Sequence, residues 1–256
     1  VSANMLATHK ALYKGHAVAA VAAVDKETAR AAAALINVKY EPLKPVLSGD
    51  DAVADGAPIV LEELIGDHLG VDVADTNIAG HSRIEFGDPD AAFAQSDLVI
   101  EREVEVGMAH QGYIEPHNAT ATWDEENRVT IWTSTQGSFP TRRQVAGVLR
   151  MPDSQVKVIP LEIGGGFGGK IPSYLEPVAA ILSRESGRPV KLLMERSSVF
   201  EATGPTPGSW MTAKVGVKKD GTITAAHTDI RFEAGAYPGS PVGAAMMCVF
   251  SCYDIP

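Results

Sequence analysis

Cysteine is nearly absent: Cys248 and Cys252 are the only two in 256 residues. Two thiols are too few for a disulfide scaffold or an iron-sulfur cluster, and a lone spacing of four is a weak metal signal. Both are read as buried or free thiols. Positive charge is scarce as well. With 22 Lys and Arg against 32 Asp and Glu, the formal charge is −10. No basic stripe is present to neutralise phosphates, which argues against nucleic acid or an anionic membrane as partner. No uninterrupted apolar run reaches the roughly 18 residues of a membrane span. Val1-Ser2-Ala3-Asn4 lacks the basic segment and apolar core of a signal peptide. These absences predict a soluble, cytoplasmic enzyme. The first residue is not Met, so the numbering is expected to begin inside a longer protein.

What is present is an ordinary globular composition, 45% hydrophobic and 21% charged, long enough for one large domain or two smaller ones. Two are expected, with a boundary near Gly80. The run from Gly15 to Val24 has a buried-strand composition, Asp25 can cap a helix over Lys26 to Ile36, and Val38 to Tyr40 turns extended again, a compact β-α-β piece. Residues 50–56 form an acidic segment of loop or one-turn-helix character. From about Ile65 to Arg83 no period is evident, which suits an interdomain connection. Asp88-Pro89 opens a short capped helix, and Leu98 to Val106 alternates as a strand with Glu101, Glu103 and Glu105 on one face. Further strands are expected at 120–123, 129–134, 156–163 and 190–194, and helices at 140–149 and 173–186. Lys219-Asp220-Gly221 closes a hairpin between 213–217 and 222–230.

Gly164-Gly165-Gly166-Phe167-Gly168-Gly169-Lys170 follows a predicted strand and precedes a predicted helix, so its backbone can approach a ligand closely and its amides can point at an anion. The phosphate-loop pattern fails at Ile171, where a hydroxyl should reach magnesium. A dinucleotide reading is harder to dismiss, because Gly164, Gly166 and Gly169 match G-x-G-x-x-G and Glu195 could serve as the ribose-binding acid. Yet Glu195 lies 26 residues beyond Gly169, against an interval of about 20, and Pro172 sits awkwardly in the opening turn. A purely structural turn is the plain alternative. His110, Glu115 and His117 cluster in sequence and could supply metal ligands, but Pro116 interrupts any helix there, which favours structural roles.

Together the segments resemble one family. Gly87-Asp88-Pro89-Asp90-Ala91-Ala92-Phe93, then His110 with Glu115-Pro116, then Ser134-Thr135-Gln136-Gly137 with Arg143, Val145-Ala146, Leu149 and Met151-Pro152 come in a characteristic order. Val156-Lys157-Val158 and Gly164 to Lys170 follow. Order and spacing are similar to the molybdenum-binding large subunits of the xanthine dehydrogenase/aldehyde oxidase/carbon monoxide dehydrogenase family of molybdenum hydroxylases. Tyr13-Lys14-Gly15-His16-Ala17-Val18-Ala19 and Val38-Lys39-Tyr40-Glu41-Pro42-Leu43 resemble the latter part of the family's α/β hammerhead domain.

The resemblance implies an α+β fold, with a partial α/β hammerhead domain and connection over 1–79 and the first part of a molybdopterin-binding domain over 80–256. It makes Gln136 similar to the glutamine that hydrogen-bonds an oxygen ligand of molybdenum. Phe167 and Gly168 resemble loop residues beside the metal, the side chain shaping the substrate entrance and the backbone amide contacting the cofactor. On this basis Gln136 and Phe167 are the catalytic candidates, and Gln136, Gly166, Phe167, Gly168 and Gly169 the cofactor-binding ones. No residue is assigned as a direct metal ligand.

Members of the family hydroxylate a carbon centre with water as oxygen source. The expected cofactor is molybdopterin cytosine dinucleotide with molybdenum, with 2Fe-2S clusters and FAD on an iron-sulfur subunit and an FAD subunit. The implied substrate is a small aldehyde, N-heteroaromatic compound or carbon monoxide. The purine-oxidising branch carries glutamate directly after the loop lysine, and Ile171 stands there instead, which argues against xanthine. The family's general base and substrate-loop residues have no counterpart in these 256 residues, so the chain is expected to be an internal fragment, inactive alone and completed by the remainder of the subunit. Two rival readings are a Rossmann-like NAD-binding dehydrogenase and a non-catalytic split subunit that completes its site with another chain.

Overall fold

A computed structural model describes residues 5–237 and 239–255. In chain order its elements are α1 (Lys26–Ala34), α2 (Gly49–Val53), β1 (Gly66–His68), β2 (Val71–Val73), β3 (Gly80–His81), α3 (Pro89–Ala94), β4 (Leu98–Val106), β5 (Asn118–Trp123) and β6 (Val129–Thr133). Then come α4 (Ser138–Leu149), β7 (Val156–Pro160), α5 (Glu176–Ser186), β8 (Val190–Leu193), α6 (Arg196–Ala202), β9 (Ser209–Val217), β10 (Ile223–Phe232) and α7 (Val242–Cys248). The fold is α+β, and the chain divides into two compact units, residues 1–42 with 110–205 and residues 43–109 with 206–256.

The first unit is built on a four-stranded sheet in the order β7-β6-β5-β8. Strands β6 and β7 run parallel, and β5 is antiparallel to both β6 and β8. Alternation along β5 and β6 turns Ala119, Ala121, Val129 and Ile131 inward, where they meet Val145 and Ala146 of α4, Val156 of β7, and Ala179 and Ala180 of α5. Alanines at the strand and helix contacts let backbones approach closely. The larger Val129, Ile131 and Val145 supply most of the apolar area, roughly 1.5–3 kcal/mol per fully buried side chain. Helix α4 ends where Arg150 turns left-handed (φ 54°), and α5 ends on Gly187 at φ 63°. Helix α1 starts as expected, Asp25 accepting from the Thr28 amide at 2.8 Å.

The apolar run before α1 departs from expectation. No strand forms between residues 15 and 47, and Val24 is 89% exposed. The Ala7 amide donates to the Ala17 carbonyl at 2.7 Å, but no ladder follows. An apolar composition supplies the drive for burial, whereas a strand also needs a continuous ladder for its backbone groups, and none forms along this run among the described residues.

The second unit carries an antiparallel sheet β10-β9-β4 and a small sheet β2-β1-β3. Hairpin β9–β10 turns on Gly221 at φ 91°, with the Lys218 amide donating to Thr222 at 2.8 Å. Strand β4 alternates as predicted, yet both of its faces are exposed along all nine residues. Residues 66–81, expected as an irregular connection, form β1 to β3 instead; strands of two or three residues are too short to show a period. Helix α3 begins as anticipated, with Asp88 accepting from the Ala91 amide at 3.0 Å. Cys248 and Cys252 are free and exposed, so the buried alternative falls.

Candidate functional site

The topology of the first unit gathers three segments at one end of its sheet. Parallel β6 and β7 release residues 134–137 and 161–169 from their carboxyl ends, and antiparallel β5 takes in residues 110–117 at the same end. Crevices beyond strand carboxyl ends are common ligand sites, because backbone groups there are not consumed by the ladder.

Gln136 and the glycine loop interlock. The Gln136 amide donates to the Lys170 carbonyl at 3.1 Å. Its side-chain Oε1 accepts from the amides of Gly168 at 2.9 Å and Lys170 at 3.1 Å. Two N–H donors on one oxygen fix which way the carboxamide faces, since the flipped form would set its NH₂ against both. Nε2 is therefore turned away from the loop, and it has no partner among the described residues. The same packing explains two glycines. A Cβ at Gly166 would lie 2.5 Å from Gln136 Oε1, and one at Gly169 would lie 2.8 Å from Tyr113 Cε1. Phe167 takes a left-handed conformation (φ 50°) that turns its ring outward, 73% exposed. Gly168 at φ 90° has open space where a Cβ would stand. The amides of Gly165, Gly166 and Phe167 donate to no group among the described residues.

Beneath the loop a buried lysine pairs with a partly exposed carboxylate. Lys170 is 1% exposed, its Nζ 2.7 Å from Glu115 Oε2 and 5.1 Å from the centre of the Tyr113 ring. Glu115 Oε2 also accepts from the Gly164 amide at 2.8 Å, and Oε1 from Asn118 Nδ2 at 3.2 Å. Burial raises the Glu115 carboxyl, but the Lys170 hydrogen bond and charge, with the Gly164 and Asn118 donors, outweigh it and leave the carboxyl below its ordinary value.

A second buried network surrounds Tyr113. The Tyr113 hydroxyl lies 2.7 Å from His117 Nε2 and 3.2 Å from Thr203 Oγ1. Thr203 Oγ1 is also 2.9 Å from His110 Nε2. The Gly112 amide donates to His110 Nδ1 at 3.0 Å, which leaves the His110 proton on Nε2 to face Thr203. Burial, followed by the charges of Lys170 and His110, lowers His117 from 6.5 to about 4, so it is neutral near pH 7. Its ring packs edge-on against Tyr174, whose hydroxyl accepts from the Gly204 amide at 2.9 Å. His110 and His117 thus share the Tyr113 network while Glu115 belongs to the ion pair, and the described residues contain no group of three His, Cys, Asp or Glu able to hold a metal.

The structure also decides between the patterns left open by the glycine loop. Strands β7 and β8, which flank the loop and α5, stand at opposite edges of the sheet rather than side by side, so no Rossmann βαβ unit forms. Glu195 is paired with Arg30 instead. Sequence reasoning missed three anchors. These are Lys170 with Glu115, 55 residues away; Gln144 of α4, which accepts from Ser173 N at 2.9 Å and donates to Ile171 O at 3.1 Å; and Arg196, which donates to Tyr113 O at 2.9 Å. None carries a local spacing signal.

Comparison with known proteins gives two family matches. Residues 71–256 match the molybdopterin cofactor-binding domain, and residues 1–44 the a/b hammerhead domain of aldehyde oxidase and xanthine dehydrogenase. The chain is 36% identical over 253 residues to a probable hypoxanthine oxidase of Escherichia coli, covering 89% of this chain and 26% of that protein. It is 31% identical over 223 residues to the nicotinate dehydrogenase large molybdopterin subunit of Eubacterium barkeri, covering 87% and 50%. Among solved structures, CO dehydrogenase from Oligotropha carboxidovorans superposes with a TM-score of 0.72 at 26% identity, over 91% of this chain and 30% of that one. The chain therefore spans between a quarter and a half of the length of these curated relatives.

Proposed function

Since this chain belongs to the molybdopterin cofactor-binding family of molybdenum hydroxylase large subunits, we propose that it forms one wall of a molybdenum-cofactor site and that the whole subunit hydroxylates a small organic substrate. The observation that carries this reading is the fixed Gln136 carboxamide. Its oxygen is taken by two loop amides, and its NH₂ is turned outward to donate. Three further loop amides, of Gly165, Gly166 and Phe167, have no partner among the described residues. A set of neutral donors, beside a Glu115 carboxylate that Lys170 neutralises, suits an oxygen-rich, anionic metal-pterin group. The residues present fit such a group.

In this reading the bound cofactor supplies the two-electron redox chemistry, with water as oxygen source. Gln136 would help to hold the group through its free Nε2 donor, adding no charge. Gly168 leaves its backbone open to approach, Gly166 and Gly169 keep the loop folded over Gln136, and exposed Phe167 borders the substrate entrance. The cytosine dinucleotide form of the cofactor, electron transfer through 2Fe-2S clusters to FAD on partner subunits, and a cytoplasmic location belong to the same proposal. So does a division into a hammerhead part over 1–79 and a molybdopterin-binding part over 80–256. No helix among the described residues is long and apolar enough to cross a membrane.

The substrate class is an aldehyde or N-heteroaromatic compound. Ile171 follows the loop half-exposed and can offer such a ring only apolar contact. Single-turnover kinetics of Gln136→Ala in the full subunit with its partners test the assignment. Removing one preorganised donor should slow substrate-driven reduction about 100-fold while molybdenum content holds. Unchanged kinetics would take Gln136 out of the site.

A further inference from the structure

The glycine loop is closed at both ends by one carboxylate. Glu115 Oε2 accepts from the Gly164 amide at 2.8 Å, where the loop begins, and from Lys170 Nζ at 2.7 Å, where it ends. Gly164 must lack a side chain for this, because a Cβ there would lie 2.6 Å from Glu115 Cβ. The buried Lys170 does more than neutralise Glu115. Its backbone amide donates to Gln136 Oε1 at 3.1 Å, and its carbonyl accepts from the Gln136 amide at 3.1 Å and from Thr135 Oγ1 at 3.3 Å. One residue therefore holds both the backbone and the side-chain oxygen of Gln136, and its own place is set by a fully buried, ion-paired side chain.

A buried lysine is an expensive way to fill space. An apolar residue of similar volume commonly serves as well or better for stability, and the Tyr113 ring at 5.1 Å would pack against a thioether too. What an apolar residue cannot do is bond to the carboxylate that also holds Gly164. From this geometry we infer that Glu115 and Lys170 are positioning residues, an ionic clamp that closes the glycine loop and aims the Gln136 Nε2 donor.

The inference rests on the proposed cofactor site. It also makes a demand that a purely structural ion pair would not make: the effect of breaking it must pass through Gln136.

The test uses the full-length subunit in its cofactor-loaded complex. Three variants, Lys170→Met, Gln136→Ala and the double variant, are compared by molybdenum content, thermal midpoint, kcat and KM. The electron paramagnetic resonance spectrum of the one-electron-reduced metal gives a further readout. Lys170→Met should keep its metal, lower kcat about 100-fold with KM little changed, as small misplacements of a catalytic group do, and shift the spectrum in the same sense as Gln136→Ala. The double variant should be no worse than Gln136→Ala alone. If Lys170→Met loses the cofactor, Glu115→Asp replaces it; its charge is kept but its shorter arm cannot reach both Gly164 and Lys170, so the same spectral shift is expected.

Should Gln136→Ala shift the spectrum while Lys170→Met and Glu115→Asp change only the thermal midpoint, the clamp is a stability device and the inference is overturned. Independent, multiplying losses in the double variant overturn it too. If Gln136→Ala itself leaves the spectrum untouched, the site reading beneath it fails first.

Discussion

Acidification from pH 7 to about 4 should weaken the first unit through His117 in particular, by an amount the structure sets. Burial, and then the nearby positive charges of Lys170 and His110, hold this imidazole at about 4 instead of its ordinary 6.5. At neutral pH it is uncharged whether the chain is folded or not, so it adds no pH slope. Between 6.5 and about 4 the unfolded chain takes up a proton that the folded chain refuses, and stability falls with pH. Below about 4 both states are protonated and the loss is complete. The full amount is about 3 kcal/mol, from roughly 1.4 kcal/mol per pH unit of displacement.

Urea denaturation of the 256-residue chain, followed through Trp123 and Trp132 of β5 and β6, would read this when wild type is compared with His117→Gln. A glutamine can still meet the Tyr113 hydroxyl, so the variant should lose only about 1–2 kcal/mol at neutral pH. Lacking the titrating group, it should then close and reverse the gap as pH falls, the difference moving by about 3 kcal/mol. A difference that stays flat across that range, or an imidazole resonance of His117 titrating near its ordinary value, would refute the reasoning.

Three other outcomes follow from the same geometry. Gly168→Ala places a side chain at φ 90° with no protein atom in its way, so in the full subunit it should cost about 1 kcal/mol of stability and lower molybdenum content far more; early melting with full metal content would reverse that ranking. Burial raises the Glu176 carboxyl above its ordinary value, so the stability it contributes is present in acid and lost as pH rises through that raised value. Denaturation at pH 5 and pH 8 should show Glu176→Gln, which keeps partners for Thr133 Oγ1 and the Tyr174 amide, removing part of the alkaline loss; equal pH slopes would contradict this. Phe167→Ala should change KM and substrate preference with little effect on the thermal midpoint, because the ring is mostly exposed; a large fall in stability would make it a core residue.

Legibility in the sequence tracked how local each signal is. Asp25 and Asp88 announced their helices, because a cap bonds to amides three residues on. Lys219-Asp220-Gly221 announced its hairpin, because the turn requires a left-handed glycine. The three short strands over 66–81 carried no period to read, and the run 15–24 had strand composition but forms no ladder. In the candidate site, Gln136 and the glycine loop stood out by composition and resemblance, and the structure sets them in contact. Lys170 drew notice only as the end of the glycine-loop motif and the residue before Ile171, not as an ion-pair partner. Its pairing with Glu115 is a product of strand order, which carries residues 55 positions apart to the same end of the sheet.

The most direct test of the central claim is to locate the metal. A diffraction experiment on the full-length subunit, with anomalous data collected at the molybdenum absorption edge, should place one molybdenum atom against the loop of residues 164–169. An oxygen ligand of that metal should lie about 3 Å from Gln136 Nε2. A molybdenum site elsewhere, with Gln136 Nε2 facing only solvent or protein, would contradict the account.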